Sequence, residues 1–135
     1  RPEYPDDVVS DVLAFLRGRT QELVEAGIGR ERIMLDPGFG FGKTLAHNLT
    51  LLDRLETIIA EGLPVLVGMS RKSMLGKVTG RDVADRMAAS IAAATVAMTK
   101  GAAVVRAHDV PETVDAARLV RALGQVHENR EQGNG

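Results

Sequence analysis

The stretch LDPGFGFGKTLAHN, residues 35–48, has glycine at positions 38, 40 and 42. The last of these glycines begins the tripeptide Gly42-Lys43-Thr44. A phosphate-binding P-loop reads G-x-x-x-x-G-K-[ST] and would need its first glycine at the position of Pro37. The dinucleotide-binding pattern G-x-G-x-x-G would need its third glycine at the position of Lys43. Both loops depend on glycine to bring backbone amides close to phosphate, so this stretch matches neither, and its role depends on its place in the fold.

The stretch begins at the end of a short apolar segment, residues 33–35, which Asp36-Pro37 follows. Two further apolar segments, residues 63–67 and 102–105, are equally short and also have polar endings. Short apolar runs bounded by turn residues are typical of buried parallel strands. The three endings fall at nearly even spacing along the chain, which indicates one strand-helix unit repeated in architecture.

Apolar residues at helical spacing predict four helices around these strands. They cover about residues 5–26, 51–61, 82–100 and 111–124. From Gln125 the chain is polar and is expected to fray. The order α-β-α-β-α-β-α predicts parallel strands joined by right-handed crossovers.

Three parallel strands are too few for a complete α/β domain, because such strands need neighbours and cover on both sides. A (β/α)₈ barrel takes about 250 residues, whereas this chain has 135. The pattern therefore predicts the C-terminal portion of a (β/α)₈ TIM barrel, with three strands and four helices. We assign residues 1–126 to this half-barrel and residues 127–135 to a polar tail. Because the chain begins with Arg1 and not Met, we expect a piece of a longer protein.

Composition limits the classes of partner. The net charge of -1 gives no overall attraction to nucleic acid or to an anionic membrane. Cysteine is absent, which excludes disulfides and thiolate chemistry and fits a reducing compartment. No apolar run reaches the roughly 18 residues of a membrane span. We therefore expect a cytoplasmic protein that binds neither nucleic acid nor membrane.

Polar residues follow all three predicted strands. Asp36 ends the first, residues 70–73 follow the second, and Arg106 and His108 follow the third. Ligands bind at the carboxyl ends of parallel strands, so these residues predict one shared pocket. A carboxylate can accept hydrogen bonds from a heterocycle edge, and arginine, lysine and histidine can bind a leaving phosphate group. The set suits a planar nitrogen heterocycle that carries a phosphate ester.

Three segments in this order, DPGFGFGK, GMSRKS and R-x-HDV, resemble dihydropteroate synthases, and the resemblance extends to about Val126. It implies a TIM-barrel transferase of folate synthesis and a sulfonamide target. That enzyme joins p-aminobenzoate to 6-hydroxymethyl-7,8-dihydropterin pyrophosphate and releases pyrophosphate. It also implies a homodimer and Mg²⁺, whose ligands would lie in the half of the barrel that this chain lacks. The chain alone is therefore expected to be inactive. Ala107 departs from the usual valine of the family.

The resemblance implies three candidate catalytic residues. Asp36 would bind the amino-pyrimidine edge of the pterin, Lys72 would reach the pterin oxygen and a ring nitrogen, and Arg106 would stack on the ring and contact pyrophosphate. The implied reaction breaks the C–O bond first. Pyrophosphate leaves, a cationic pterin methylene forms, and the aminobenzoate nitrogen attacks it.

Three further binding residues follow from the same resemblance. His108 would help to bind pyrophosphate. Ser73, at a helix start, would contact the aminobenzoate carboxylate, and Phe41 would line the aminobenzoate side. The glycine stretch would then be part of a pterin pocket, and its Gly-Lys-Thr ending would be incidental.

Two other functions stay open. A methyltetrahydrofolate-dependent, pterin-binding methyltransferase shares the barrel, but such enzymes lack the Ser-Arg-Lys-Ser and Arg-x-His segments. Methyl transfer would also release no phosphate group for Lys72, Arg106 and His108 to bind. A non-catalytic half-barrel that binds a partner or a second copy of itself is the third function considered.

Single residues also have purely structural interpretations. Asp36 before a proline is a common turn former, and Ser73 could serve as a helix N-cap. Phe39 and Phe41 suit a core lid as well as a ligand contact. Lys43 is expected to be a solvated loop lysine. His47, near a helix start, is expected to cap it or to be solvated. Arg71 suits a surface charge as well as a place in the polar cluster.

Overall fold

The computed structural model describes residues 7–133. This part of the chain contains six α-helices and two strands. In chain order they are α1 (Asp7–Glu25), α2 (Leu45–Asp53), α3 (Leu55–Ile59), β1 (Leu66–Val67), α4 (Ser73–Thr79), α5 (Met87–Lys100), β2 (Val104–Val105) and α6 (Val110–Gly133). The predicted helix start near Pro5 lies outside the described residues. None of the described helices is long and apolar enough to cross a membrane.

The sheet is parallel, as predicted. β1 pairs with β2, with Leu66 opposite Val104 and Val67 opposite Val105. The predicted first strand, residues 33–35, is reduced to a single parallel bridge between Leu35 and Val65. The prediction of three full strands is therefore wrong.

The geometry of a parallel ladder explains the shortened strand. The Leu35 N–H donates to the Pro64 carbonyl, and the Leu66 N–H donates to the Leu35 carbonyl, each at 2.8 Å. Alternate residues of a strand turn their backbone groups to opposite neighbours. Leu35 therefore bonds through both its N–H and its carbonyl to residues 64–66, at the start of β1. The residues on either side of Leu35 face an edge that is unpaired within residues 7–133.

The helix count also differs from the prediction of four. The second predicted helix is divided at Arg54 into α2 and α3, and it begins earlier, at Leu45, because Thr44 caps it. Periodicity missed α4, which ends at Gly80 in a left-handed conformation that favours glycine. The third predicted helix begins at Met87 and not at Asp82, after a short 3-10 helix.

The expected fraying from Gln125 is wrong, since α6 continues to Gly133. At this exposed end, side chains one helical turn apart contact each other and stabilise the helix. His127 Nε2 lies 3.1 Å from Glu131 Oε1, one turn further along. The proposed boundary between half-barrel and tail at residue 126 stays a prediction.

The core lies between one face of the sheet and the helices. Leu35, Val65 and Val67 point into it, where Leu51 and Ile58 are fully buried. The alternate residues point to the other face, as the twofold repeat of a strand requires. There Met34 is 47% and Val104 41% exposed, so within residues 7–133 this face has no cover.

Candidate functional site

The predicted polar residues meet at the carboxyl ends of the parallel segments. Arg106, just after β2, passes over Gly68, just after β1, and places its Nη2 atom 3.5 Å from Asp36 Oδ2. This path exists because Gly68 has no side chain. A Cβ atom there would lie 3.2 Å from Arg106 Nη2. The missing side chain therefore lets a carboxylate and a guanidinium from two different segments share one site.

Asp36 has two contacts. Its Oδ1 atom accepts a hydrogen bond from the Gly38 N–H at 2.9 Å, so the turn-forming interpretation is correct. Its Oδ2 atom faces Arg106, and the two side chains are 47% and 65% exposed. An ion pair this exposed contributes at most about 1 kcal/mol to stability. Both charges are therefore open to a ligand at little cost to the fold.

The alternating glycines form a curled loop over residues 38–42. Gly38, Gly40 and Gly42 have φ values of 76°, 88° and 63°, which residues with a Cβ rarely adopt. The curl turns the Gly38 carbonyl inward, where Lys43 Nζ donates to it at 2.7 Å. The glycines thus provide backbone freedom for this loop and no phosphate cradle is needed to explain them.

Lys43 is not a solvated loop lysine, and that prediction was wrong. Its amine is bonded within the loop, and burial lowers its pKa. The nearby Asp36 carboxylate opposes this decrease in pKa, and the Lys72 charge adds to it. The amine therefore closes the loop on itself.

Lys72 holds the same loop from the other side. Its Nζ atom donates to the Phe39 carbonyl at 2.8 Å and lies 5.0 Å from the centre of the Phe41 ring. Burial lowers the pKa of Lys72, the Arg106 charge lowers it further, and Asp36 opposes both. An amine with a lowered proton affinity and a bond to a loop carbonyl can exchange that bond for a substrate oxygen.

Asn48 is a structural residue of the site that sequence reasoning missed. It is 3% exposed, and its Oδ1 atom accepts a hydrogen bond from the Gly40 N–H at 2.9 Å. The signal was present in the sequence. Asn48 shares a helical face with Leu51 and Leu55, so a buried amide had to find a polar partner.

The two phenylalanines of the loop have different environments. Phe39 is 1% exposed and belongs to the core, whereas Phe41 is 74% exposed. Phe41 borders a cavity of about 220 Å³ that Lys72 and Ser73 also line. Ser73 is the first residue of α4, and Lys72 occupies the N-cap position, so the N-cap interpretation of Ser73 is wrong.

A second cavity, of about 160 Å³, adjoins the first and is cationic. Gly68, Ser70, Lys72, Arg106 and His108 line it. The His108 N–H donates to Ser70 Oγ at 3.2 Å, and His108 Nδ1 lies 2.9 Å from the same oxygen. Lys72 borders both cavities, so an aromatic subsite and an anion subsite meet at one amine.

Two larger cavities lie along α1, with volumes of about 450 and 370 Å³. Only the smaller of them reaches the site, at Asp36 and Lys43. Neither contains the cations Lys72 and Arg106. The two smaller cavities combine these two cations with the exposed Phe41 ring and are therefore the better candidate for a charged ring substrate.

His47 takes part in capping α2, which is one of the two roles expected for it. The Thr44 hydroxyl accepts from the His47 N–H at 3.1 Å, and the Thr44 N–H lies 3.4 Å from His47 Nδ1. The threonine that completed the apparent Gly-Lys-Thr motif is thus a helix cap. This explains the motif without a nucleotide.

The described residues do not fit a magnesium ion. Across residues 7–133, no group of three or more histidine, aspartate or glutamate side chains could hold a metal. Asp36 contributes a single carboxylate and faces Arg106, an arrangement that suits an anion better than a hard cation. The Mg²⁺ requirement stays a prediction, and none of the chemistry below depends on it.

The structure thus gathers the six predicted site residues. Four of them, Asp36, Lys72, Arg106 and His108, surround the cationic cavity and its edge. Phe41 and Ser73 border the adjoining aromatic cavity. The arrangement can bind a ring at its carboxylate end and an anionic group at its cationic end.

Comparison with known proteins agrees with this geometry. Residues 1–108 match the family described as pterin binding enzyme. The chain is 51% identical, over 125 residues, to the dihydropteroate synthase of Neisseria meningitidis serogroup C, which covers 91% of this chain and 44% of that protein. The chain therefore spans less than half the length of this relative.

Solved structures show the same likeness. Yersinia pestis dihydropteroate synthase with a pterine-sulfa conjugate has a TM-score of 0.87 at 44% identity, over 92% of this chain and 48% of that one. The enzyme from Xanthomonas albilineans in complex with 7,8-dihydropteroate also has a TM-score of 0.87, at 45% identity, over 91% and 47%. The parallel sheet and helices of this chain fit the barrel fold of these proteins.

Proposed function

Because the chain belongs to the pterin-binding enzyme family, we propose that it supplies the C-terminal half of a dihydropteroate synthase barrel. The resemblance drawn from its three motifs is confirmed by the relatives, which are transferases of that name. The proposed activity joins p-aminobenzoate to 6-hydroxymethyl-7,8-dihydropterin pyrophosphate in folate biosynthesis. The uncovered sheet face, with Met34 and Val104 exposed, would be the interior of that barrel.

One observation carries the proposal: Arg106 crosses Gly68 to face Asp36. A flat ring laid on the guanidinium would place its nitrogen edge at the carboxylate, since arginine stacks well on planar heterocycles. The same guanidinium would reach a pyrophosphate in the cationic cavity, together with His108. Substrate ring and leaving group would thus share one side chain.

The second substrate would occupy the aromatic cavity. Phe41 is exposed enough to contact the aminobenzoate ring, and Ser73 would meet its carboxylate. Lys72 borders both cavities and would exchange the Phe39 carbonyl for the pterin oxygen. The amino group of aminobenzoate would then point toward the pterin methylene.

The residues support a dissociative displacement. The C–O bond to pyrophosphate breaks, and its electron pair leaves with the pyrophosphate. The cationic pterin methylene is stabilised by the Asp36 carboxylate, while Arg106, His108 and Lys72 stabilise the departing anion. The aminobenzoate nitrogen then forms the new C–N bond, and the proton that it loses passes to the released pyrophosphate. No nucleophilic side chain is required.

The alternatives make less use of these residues. A methyltransferase would have no leaving pyrophosphate for Arg106 and His108. A binding half-barrel would account for the open sheet face but not for the paired cavities. The homodimer, the cytoplasmic location and the Mg²⁺ requirement remain proposals from the family resemblance.

A hybrid barrel tests the function. In it, this chain replaces the matching 125-residue segment of the Neisseria meningitidis relative. Formation of dihydropteroate, identified by mass spectrometry, and release of pyrophosphate that needs both substrates would support the synthase. A folded hybrid that binds the pterin substrate and forms no product would favour the binding module. Methyl transfer from methyltetrahydrofolate would favour the methyltransferase. The chain alone is the control and should form no product.

A further inference from the structure

Arg71 has an unusual backbone at the centre of the site. Its φ of 58° is positive, and no other described non-glycine residue has a positive φ. Such a conformation costs free energy in a residue with a Cβ and persists only where its surroundings hold it. Arg71 lies between Ser70, which contacts His108, and Lys72, which contacts the Phe39 carbonyl.

Three neighbours hold Arg71, and we call them the Arg71 clamp: Ser90, Arg86 and Asp109. The Arg71 N–H donates to Ser90 Oγ at 2.9 Å, and its carbonyl accepts from Arg86 Nη1 at 3.0 Å. The Arg71 Nη2 atom lies 2.8 Å from Asp109 Oδ1. The N–H, the carbonyl and the guanidinium of Arg71 are thus each held by a different residue.

The clamp is well placed to resist movement. Ser90 is 6% exposed, and its hydroxyl also donates to the Arg86 carbonyl at 2.6 Å. The Asp109 side chain is 14% exposed. Its Oδ2 atom is buried and has no hydrogen-bond partner within residues 7–133, so Arg71 is the partner that compensates this carboxylate.

Arg86 joins the clamp to α4. Its Nε atom donates to the Arg81 carbonyl at 3.1 Å, and its guanidinium lies directly on Gly76. A Cβ at Gly76 would collide with that guanidinium. The network therefore connects α4, the first turns of α5 and the residue that precedes α6.

We propose that the Arg71 clamp is a positioning device, which rests on the synthase function proposed above. It sets the direction in which the chain leaves Ser70 and so fixes Lys72 and Ser73 relative to His108. If Arg71 relaxed to an ordinary conformation, the residues after it would rotate away from the two cavities. Misplacement by about 1 Å can cost a hundredfold in rate, so the clamp determines how well the two subsites align.

The first test removes one clamp contact and then restores it in the hybrid barrel. Ser90→Ala deletes the hydroxyl that accepts the Arg71 N–H, and Ser90→Thr keeps a hydroxyl. We expect Ser90→Ala to lower kcat/KM for p-aminobenzoate about tenfold or more, and Ser90→Thr to recover most of it. Thr95→Ala is the matched control, since it removes a 2.7 Å hydroxyl-to-carbonyl bond from the same helix. Assays are run well below the Tm of each variant.

A second pair separates backbone from side chain. Arg71→Gly and Arg71→Ala both remove the ion pair with Asp109, but only glycine adopts the positive φ without strain. We expect Arg71→Gly to keep more kcat/KM than Arg71→Ala. This pair also serves if Ser90→Ala fails to fold. Two results together would overturn the proposal. Arg71→Gly and Arg71→Ala would lose the same kcat/KM, and Ser90→Ala would have the same kcat/KM as Thr95→Ala.

A third readout separates this inference from the proposed function. The same variants are made in the 135-residue chain itself and titrated calorimetrically with inorganic pyrophosphate. A wild-type hybrid that folds and binds the pterin substrate but is inactive would contradict the synthase function. Weaker pyrophosphate binding in Ser90→Ala than in Thr95→Ala would still support the clamp. Equal affinity in the two variants would overturn it, whatever the activity of the hybrid.

Discussion

Arg106 lies across Gly68, close enough that a Cβ added to the glycine would be 3.2 Å from the guanidinium Nη2 atom. Because Gly68 has no side chain, the guanidinium of Arg106 can reach the Asp36 carboxylate at the end of a neighbouring segment. Asp36 and Arg106 are 70 residues apart in sequence and 3.5 Å apart in space. A residue without a side chain is therefore as important to the site as the charged residues.

Gly68→Ala should displace the Arg106 guanidinium by a few tenths of an ångström and weaken pyrophosphate binding several-fold. Gly68→Val should weaken it more, because its branched side chain blocks the path. Calorimetric titration of the hybrid barrel with pyrophosphate measures both. Gly18→Ala is the control, since nothing lies within 4 Å of a Cβ there. A Gly68→Val protein with wild-type affinity would show that Arg106 reaches the anion by another path.

Asp36→Asn should reduce pterin affinity more than tenfold in the hybrid barrel. The substitution removes a charge-assisted hydrogen bond worth about 1.5–3 kcal/mol. Isothermal titration with the pterin substrate measures the change. Asp11→Asn, on the helix that borders the neighbouring cavity, removes a charge outside the proposed subsite and should have little effect. An unchanged dissociation constant in Asp36→Asn would remove Asp36 from the pterin pocket.

Ser73→Ala should raise the KM for p-aminobenzoate and leave the pterin KM nearly unchanged. Ser73 lines the aromatic cavity and not the cationic one. Steady-state kinetics with each substrate varied in turn measures the two constants. Ser10→Ala, at an exposed position of α1, is the control. If both constants rise together in Ser73→Ala, the serine does not distinguish the two subsites.

Asn48→Leu should destabilise the protein by about 1–3 kcal/mol. It keeps most of the volume but leaves the Gly40 N–H without its acceptor. The free energy of unfolding from urea denaturation measures the loss. Leu49→Ala, at a 43% exposed position of the same helix, should cost much less. A fully stable Asn48→Leu would mean that water replaces the amide at no cost.

The stability of the protein should increase with pH in the alkaline range, partly through Lys43. Burial lowers the pKa of Lys43 in the folded state, so the unfolded state binds this proton more tightly. The resulting destabilisation is fully present at neutral pH. It is relieved as pH rises from the folded pKa to the ordinary lysine value of 10.5. Urea denaturation across that window should show a shallower slope against pH in Lys43→Met, and an identical slope would contradict the burial effect.

The sequence by itself determined that the strands are parallel and which polar residues follow them. Short apolar runs bounded by turn residues can be recognised locally, and ligands of parallel sheets bind at strand ends. Asp36, Lys72 and Arg106 could therefore be grouped before any contact was known. Capping was among the roles expected for His47 for the same reason, because a helix cap involves residues only three positions apart.

Only the tertiary structure decided how those residues are held. Phe39 loses its exposure by packing into the core with side chains from distant segments, which no local pattern reports. The first strand is shortened because the residues beside Leu35 find no pairing partner within residues 7–133. The positive φ of Arg71 is imposed from residues 15 to 38 positions away. Local propensity predicts which segments form, but long-range contacts decide the conformations that cost free energy.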